Sequence, residues 1–331
     1  MDFFSWIKPE NPISFPKLGL ELGDIPRGFS IGPLNIQFYG VIITVGLLLA
    51  IIYGIKRSKQ FGITEDNILD GVLGIVPFAI ICARLYYCAF RWDVYSADPI
   101  TILYIWKGGL AIYGGVIGAA IGVVVLCLVK KIKIGALLDL VALGFLLGQG
   151  IGRWGNFFNR EAFGALTESF LGMEIISDIT NAKGLYHPTF LYESLWNLSG
   201  FVILHFLSKR RRYDGQIALG YVFWYGLGRT FIEGLRLDSL MLGSFRVSQL
   251  LAAVSCFTAA VVLIVMAFRK HDPQKLFVNI KAARDAAAAE AAKAAEEAEE
   301  SAEEAGEAVT EETEEPKEEE AEEPKEEEAE E

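Results

Sequence analysis

Residues 36–55 read IQFYGVIITVGLLLAIIYGI, twenty positions without one charged side chain. At 1.5 Å per residue such a stretch makes a helix of about 30 Å, the thickness of a bilayer's hydrocarbon core. A helix that is apolar on every side has to be buried in protein or in lipid. Six further runs are mostly apolar, at residues 68–90 (interrupted by Pro77 and Arg84), 110–129, 136–151 (short), 188–207, 217–232 and 247–268. The chain is 52% hydrophobic despite a long polar end, so the apolar residues are concentrated in these runs. The expected fold is therefore all-α, a polytopic membrane protein with about seven transmembrane helices.

Charge is divided just as unevenly. Residues 1–275 carry 25 Lys and Arg against 19 Asp and Glu, whereas residues 276–331 carry 5 against 23. The net charge of -12 thus belongs to the tail, and the body is mildly basic, as suits a protein among anionic lipid headgroups. Cations cluster after the odd-numbered runs: Lys56, Arg57 and Lys59; Lys130, Lys131 and Lys133; Lys209 to Arg212; Arg269, Lys270 and Lys275. The connections after even-numbered runs hold scattered ones, such as Arg91, Lys107 and Lys183. The positive-inside rule then places the amino terminus outside and the carboxyl terminus in the cytoplasm. The expected organisation is an extracytoplasmic segment at 1–35, a membrane domain at 36–270 and a cytoplasmic acidic tail at 271–331. Within the tail, 281–300 has the Ala and Glu content of a helix, and disorder is expected beyond it. Prolines at 9, 12, 16 and 26 break the first thirty residues, so no cleavable signal peptide is expected there.

Cys82, Cys88, Cys127 and Cys256 all lie in apolar runs and read as small buried hydrophobes. No metal-ligand cluster stands out, and no cofactor is expected.

Ionisable side chains within or at the ends of apolar runs are costly and mark cavities or partners. They are Arg84, Arg153, Glu161, Glu193, Arg229, Glu233 and Arg236, and the topology gathers most of them toward the outer leaflet. Arg229, Glu233 and Arg236 share one helix face by their spacing, which suits either a structural ion pair or an anion site. The densest segment is Gly152-Arg153-Trp154-Gly155-Asn156-Phe157-Phe158-Asn159-Arg160-Glu161-Ala162-Phe163-Gly164. It reads as a glycine-bounded connection at a membrane mouth, rich in donors suited to a phosphate. A second glycine-rich stretch, 106–118, sets Tyr113 between two glycine pairs.

The segment from Gly152 to Gly164 resembles the signature of the prolipoprotein diacylglyceryl transferases, Gly-Arg-x-Gly-Asn-Phe-apolar-Asn-x-Glu-x-x-Gly, at every fixed position. Gln37-Phe38-Tyr39-Gly40, the Gly108–Gly118 stretch, His187-Pro188-Thr189-Phe190-Leu191-Tyr192-Glu193 and Arg229-x-x-x-Glu233-x-x-Arg236 follow in family order, so the likeness covers roughly residues 29–270. The resemblance implies that the chain moves the diacylglyceryl group of phosphatidylglycerol to the lipobox cysteine of a prolipoprotein signal peptide, in a bacterial inner membrane. It implies that Arg153 binds the lipid headgroup and that Arg229 lies by the phosphate. Tyr39, Asn156, Glu161, Gly164 and Glu233 match other important positions of the family. Some members carry histidine where Tyr113 stands, so a histidine base at that position is excluded here.

Arg153 and Arg229 would neutralise the leaving phosphate and, together, favour the thiolate over the thiol. Tyr113, His187 and Glu161 are the candidates for hydrogen bonding or proton transfer, and the choice among them stays open. His205 and His271 are expected to be structural. A transporter, or a lipid-binding protein without catalysis, is the alternative, although no internal repeat of the kind transporters show is visible.

Overall fold

The computed structural model describes residues 11–32, 34–105, 108–177, 179–237, 241–242 and 245–311, with backbone alone at 242, 245 and 299–311. Of the stretch beyond residue 300 where disorder is expected, residues 301–311 are helical instead, and the rest, together with Pro9 and Lys107, lies outside the described residues. Nine helices follow in order among the described residues. They are α1 (Phe38–Ser58), α2 (Glu65–Phe90), α3 (Trp92–Tyr95), α4 (Ile112–Val129), α5 (Ile134–Asn159), α6 (Thr189–Ser208), α7 (Gln216–Glu233), α8 (Val247–Phe268) and α9 (Phe277–Glu311).

Six of these, α1, α2, α4, α5, α6 and α8, are long and apolar enough to cross a membrane. The protein is thus a multi-pass helical membrane protein. The remaining expected span, 217–232, is a helix of 18 residues, α7, but is not among the six. Gln216, Arg229 and Glu233 dilute its apolar content, and α5, α6 and α8 pack around it. Leu73, Phe90, Ile112, Leu128, Phe257 and Phe268 stand exposed on the helices, a distribution that water does not tolerate and lipid does.

α5 is the central element, contacting α1, α4, α6 and α7. Its Ala136, Leu137, Leu140, Leu143 and Leu146 form a buried core with Phe61, Ile63, Leu204, Ile217 and Phe277. Asp139 on its first turns is fully buried and accepts the backbone N–H groups of Gly215, Ile217 and Ala218. It thereby satisfies the orphan donors at the start of α7. α2 and α4 pair through small residues, with Gly114 and Gly118 against Ala83 and Cys82. Thr64 caps α2 by accepting from Asn67 N–H, and Glu65 and Asp66 follow in the first turn.

Short antiparallel strands, which the sequence reading did not name, decorate this bundle. β1 (Ile13–Phe15), β2 (Leu20–Gly23), β5 (Met173–Ile176) and β6 (Lys183–Tyr186) form one sheet in the order β2-β1-β5-β6. β3 (Gly28–Ile31) pairs with β4 (Leu34–Gln37), and β7 (Met241–Leu242) with β8 (Phe245–Arg246). Ile13, Phe15, Met173 and Ile175 pack with Phe157, Phe163 and Phe190 into a second small core that seats the sheet on the ends of α5 and α6.

The chain divides into two units, Met1–Ile280 and Lys281–Glu331. In the second, the expected helix at 281–300 is present as part of α9.

Candidate functional site

The signature segment is helical through its first half. α5 does not stop at residue 151 but runs on to Asn159, so Arg153 and Asn156 occupy one face, three residues apart, rather than a loop. The glycines permit this by letting neighbours close in: a Cβ on Gly155 would lie 2.7 Å from the Tyr39 ring of α1. Tyr39, Arg153 and Asn156 then line one mouth together. They close the polar end of a cavity of about 500 Å³ whose remaining walls are mostly apolar, among them Ile43, Leu47, Val72 and Phe145. A polar head beside an apolar sleeve is the shape of a lipid.

Behind that mouth, three arginines converge on two buried carboxylates. Arg153 Nη2 lies 2.6 Å from Glu193 Oε2, and Arg229 Nη1 lies 3.0 Å from Glu193 Oε1. Arg229 Nη2 lies 2.6 Å from Glu233 Oε2. Arg236 stands 3.6 Å from Glu193 and 3.9 Å from Glu233. Both carboxylates are buried, whereas Arg153 keeps 22% of its side chain exposed. Three guanidinium groups and two carboxylates therefore share one buried network at the ends of α5, α6 and α7.

Asn156 relays the signature's end to this cluster. It accepts from Arg153 Nη1 at 3.3 Å and donates to Glu161 Oε1 at 2.9 Å; Asn159 donates to the same oxygen at 3.3 Å. Glu161 therefore orients the amide that orients the arginine. Gly164 lies where three segments meet: its N–H donates to His187 O at 2.9 Å, and it bridges to Arg236. A Cβ there would lie 2.7 Å from His187 Cβ and 2.8 Å from Leu235 O. His187 precedes α6 with Nδ1 3.3 Å from the Tyr192 hydroxyl, and burial holds its imidazole below its ordinary pKa.

Not every expected residue joins the cluster. Tyr113 sits at the start of α4, 57% exposed, and does not line the cavity at Arg153. Arg160, the second arginine of the signature, is buried and donates to Asn11 O, Asp24 Oδ1 and Ile25 O, tying the N-terminal segment to the end of α5. Arg84 is also structural, donating to the carbonyls of Thr101, Ile102, Gly108 and Gly109.

Two residues were not singled out from sequence as part of the site. Glu193 stood out as a costly intramembrane charge and as the end of the 187–193 motif but was given no role, yet three arginines converge on it. Gln149 lines the cavity and donates to the Tyr221 hydroxyl at 3.0 Å. Its position four residues before Arg153 on the same helix face was the available signal.

The family model described as prolipoprotein diacylglyceryl transferase matches residues 26–266 of the chain. The chain belongs to this family. It is 45% identical over 261 residues to the phosphatidylglycerol–prolipoprotein diacylglyceryl transferase of Limosilactobacillus reuteri, covering 76% of this chain and 94% of the relative. It is 46% identical over 252 residues to the protein of that name from Bacillus velezensis, covering 74% and 92%. With the Bacillus cytotoxicus protein of that name it shares 40% over 268 residues, 78% of this chain and 99% of the relative. The matched residues take in α1 to α7 and most of α8, with Arg153, Glu193, Arg229, Glu233 and Arg236 among them, while the acidic tail lies beyond.

Proposed function

We propose that the chain transfers the diacylglyceryl group of phosphatidylglycerol to the thiol of a prolipoprotein's lipobox cysteine and releases glycerol phosphate. The observation that carries this is the meeting of Arg153 and Arg229 on Glu193, beside a cavity with a polar mouth and an apolar interior.

The chemistry sets the electrostatic demand. The cysteine sulfur forms a bond to the terminal glycerol carbon of the diacylglycerol half. The carbon–oxygen bond to phosphate breaks, its electron pair stays on the phosphate oxygen, and the thiol proton departs. A phosphodiester with one negative charge becomes a monoester carrying up to two. Arg153 and Arg229 neutralise that gain, with Asn156 steering Arg153. The same guanidinium groups lower the pKa of a thiol brought beside them. Glu193 and Glu233 keep the arginines aimed before any lipid arrives, so little reorganisation remains during reaction. Tyr39 shapes the mouth. Gly164 holds the segment after α5 against His187. Glu161 positions Asn156, and Tyr113 and His187 are the remaining candidates for contact with the thiol or the leaving oxygen.

The four cation clusters support a carboxyl terminus in the cytoplasm of a bacterial inner membrane and a reaction at the outer leaflet, where the prolipoprotein's signal peptide presents its cysteine. Residues 1–35 then lie outside, 36–270 form the catalytic membrane domain and 271–331 a cytoplasmic tail.

The test uses the purified protein, phosphatidylglycerol and a peptide bearing a lipobox cysteine. A mass gain of one diacylglyceryl unit on the peptide is expected. Solute flux in vesicles without that gain would establish the transporter reading instead.

A further inference from the structure

At the opposite end of the bundle from Arg153 lies a second cavity, of about 550 Å³, lined by Arg211, Arg212, Arg269, Lys270, His271, Pro273 and Leu276. α5 spans the gap between the two sites, about 30 Å over the twenty residues from Lys133 to Arg153. The connection after α6 and the connection after α8 supply the lining, four cations with no carboxylate among them.

The acidic groups nearby are already engaged. Asp214 faces Lys133 at 2.9 Å and Arg211 at 3.8 Å and accepts the N–H of Phe277. Asp139 is spent on the start of α7. Asp272 accepts from Gln274 N–H. Arg211 is buried, stacked on the Phe61 ring and donating to Gln60 O, so it forms a fixed floor. His271 is fixed by Tyr213, whose ring stacks on it at 4.6 Å, and by Met266 O. Among the described residues the side chains of Arg212, Arg269 and Lys270 have no ion pair. Like charges gathered on a rigid floor repel one another unless an anion joins them.

We infer that this cavity binds the phosphate of an anionic phospholipid headgroup, at a site separate from the transfer reaction. Its height in the bundle favours a lipid over a free anion. α6 and α8 both end here, and Phe206, Leu207 and Phe268 stand exposed just before the cations. Basic pockets between membrane helices at headgroup level take phospholipid phosphates in this way.

The test compares full-length protein with the triple variant Arg212→Gln/Arg269→Gln/Lys270→Gln. A control, Lys56→Gln/Lys131→Gln/Arg210→Gln, removes equal charge from the same end outside the cavity. Native mass spectrometry counts retained phosphatidylserine, with phosphatidylcholine as the uncharged arm and millimolar inorganic phosphate as the soluble arm. Wild type and control should each retain one phosphatidylserine more than the cavity variant, with equal phosphatidylcholine. All three should transfer diacylglyceryl within about twofold of one another, which also reports that each is folded. Equal phosphatidylserine in all three overturns the site. Displacement of the extra lipid by inorganic phosphate overturns the assignment to a lipid. If the triple variant is not folded, Lys270→Gln alone carries the comparison, and an unchanged count there overturns the proposal.

Discussion

The carboxylate of Glu193 stands between Arg153 and Arg229, 2.6 Å from one and 3.0 Å from the other, and joins α5 to α7 through α6. Three helices are thereby aligned by one buried charge. Removing it takes the carboxylate from Arg153 and leaves Arg229 and Arg236 to share Glu233 in a poorly screened place. Glu193→Gln keeps the shape but not the charge, and should lower the transfer rate by about 10²-fold or more, the scale of losing a preorganised electrostatic group. Rates on phosphatidylglycerol, with melting in detergent to monitor folding, check this.

Arg153→Ala and Arg229→Ala should each abolish measurable transfer while folded protein remains in the membrane. Loss of one transition-state donor costs about 10²–10³ in rate, and each arginine here supplies more than one. Near wild-type activity in either would remove the phosphate-binding role. Tyr113→His, by contrast, should cost little, because the position is exposed and does not line the cavity at Arg153.

Trp196 and Trp224 clasp α6 to α7. Their rings stack at 4.5 Å, and each indole donates to the other's backbone carbonyl, at 2.9 and 2.8 Å. Each ring lies on a glycine of the facing helix, Trp196 on Gly228 and Trp224 on Gly200. Gly228 precedes Arg229, so the clasp sets where that guanidinium points. Gly228→Ala should destabilise by about 1–3 kcal/mol through overpacking and reduce transfer. Gly74→Ala in α2, with open space around it, should be neutral.

Much of this was legible in the sequence where the bilayer imposes length. α8 occupies Val247–Phe268, the run expected, because Arg246 and Arg269 bound it on both sides. The end of α5 was not legible: Arg153, Asn156 and Asn159 look like loop residues, yet Arg153 pairs with the buried Glu193 of α6, and the helix continues to Asn159. β1 and β5 have three and four residues, too few for an alternating pattern to register, and they pair across about 160 positions of sequence. The role of Glu193 depends on contacts among three helices, and no spacing along one helix could announce it.

His187 carries a pH signature with a definite sign. Burial lowers its folded pKa below the ordinary value of 6.5, so the neutral form is favoured in the folded protein. Its contribution to stability is present above pH 6.5 and is lost as pH falls through the folded value. Melting temperature should decline faster below pH 6.5 in wild type than in His187→Gln. Parallel curves would show that the imidazole is not buried as described.

The tail separates into an anchor and an extension. Phe277 is buried in the core with Phe61 and Ile63, and its N–H donates to Asp214 Oδ2 at 2.9 Å. Gly62 permits the contact, since a Cβ there would lie 2.8 Å from Val278 Cα. Residues beyond Ile280 form a separate unit. Truncation after Ile280 should therefore leave transfer activity and melting close to wild type. Truncation after Lys275 removes Phe277 as well, exposing apolar core and costing about 1.5–3 kcal/mol. A fall in melting temperature for the shorter chain alone, with both assayed in the same detergent, is the expected outcome. Equal loss in the two would mean that the acidic extension itself supports the fold.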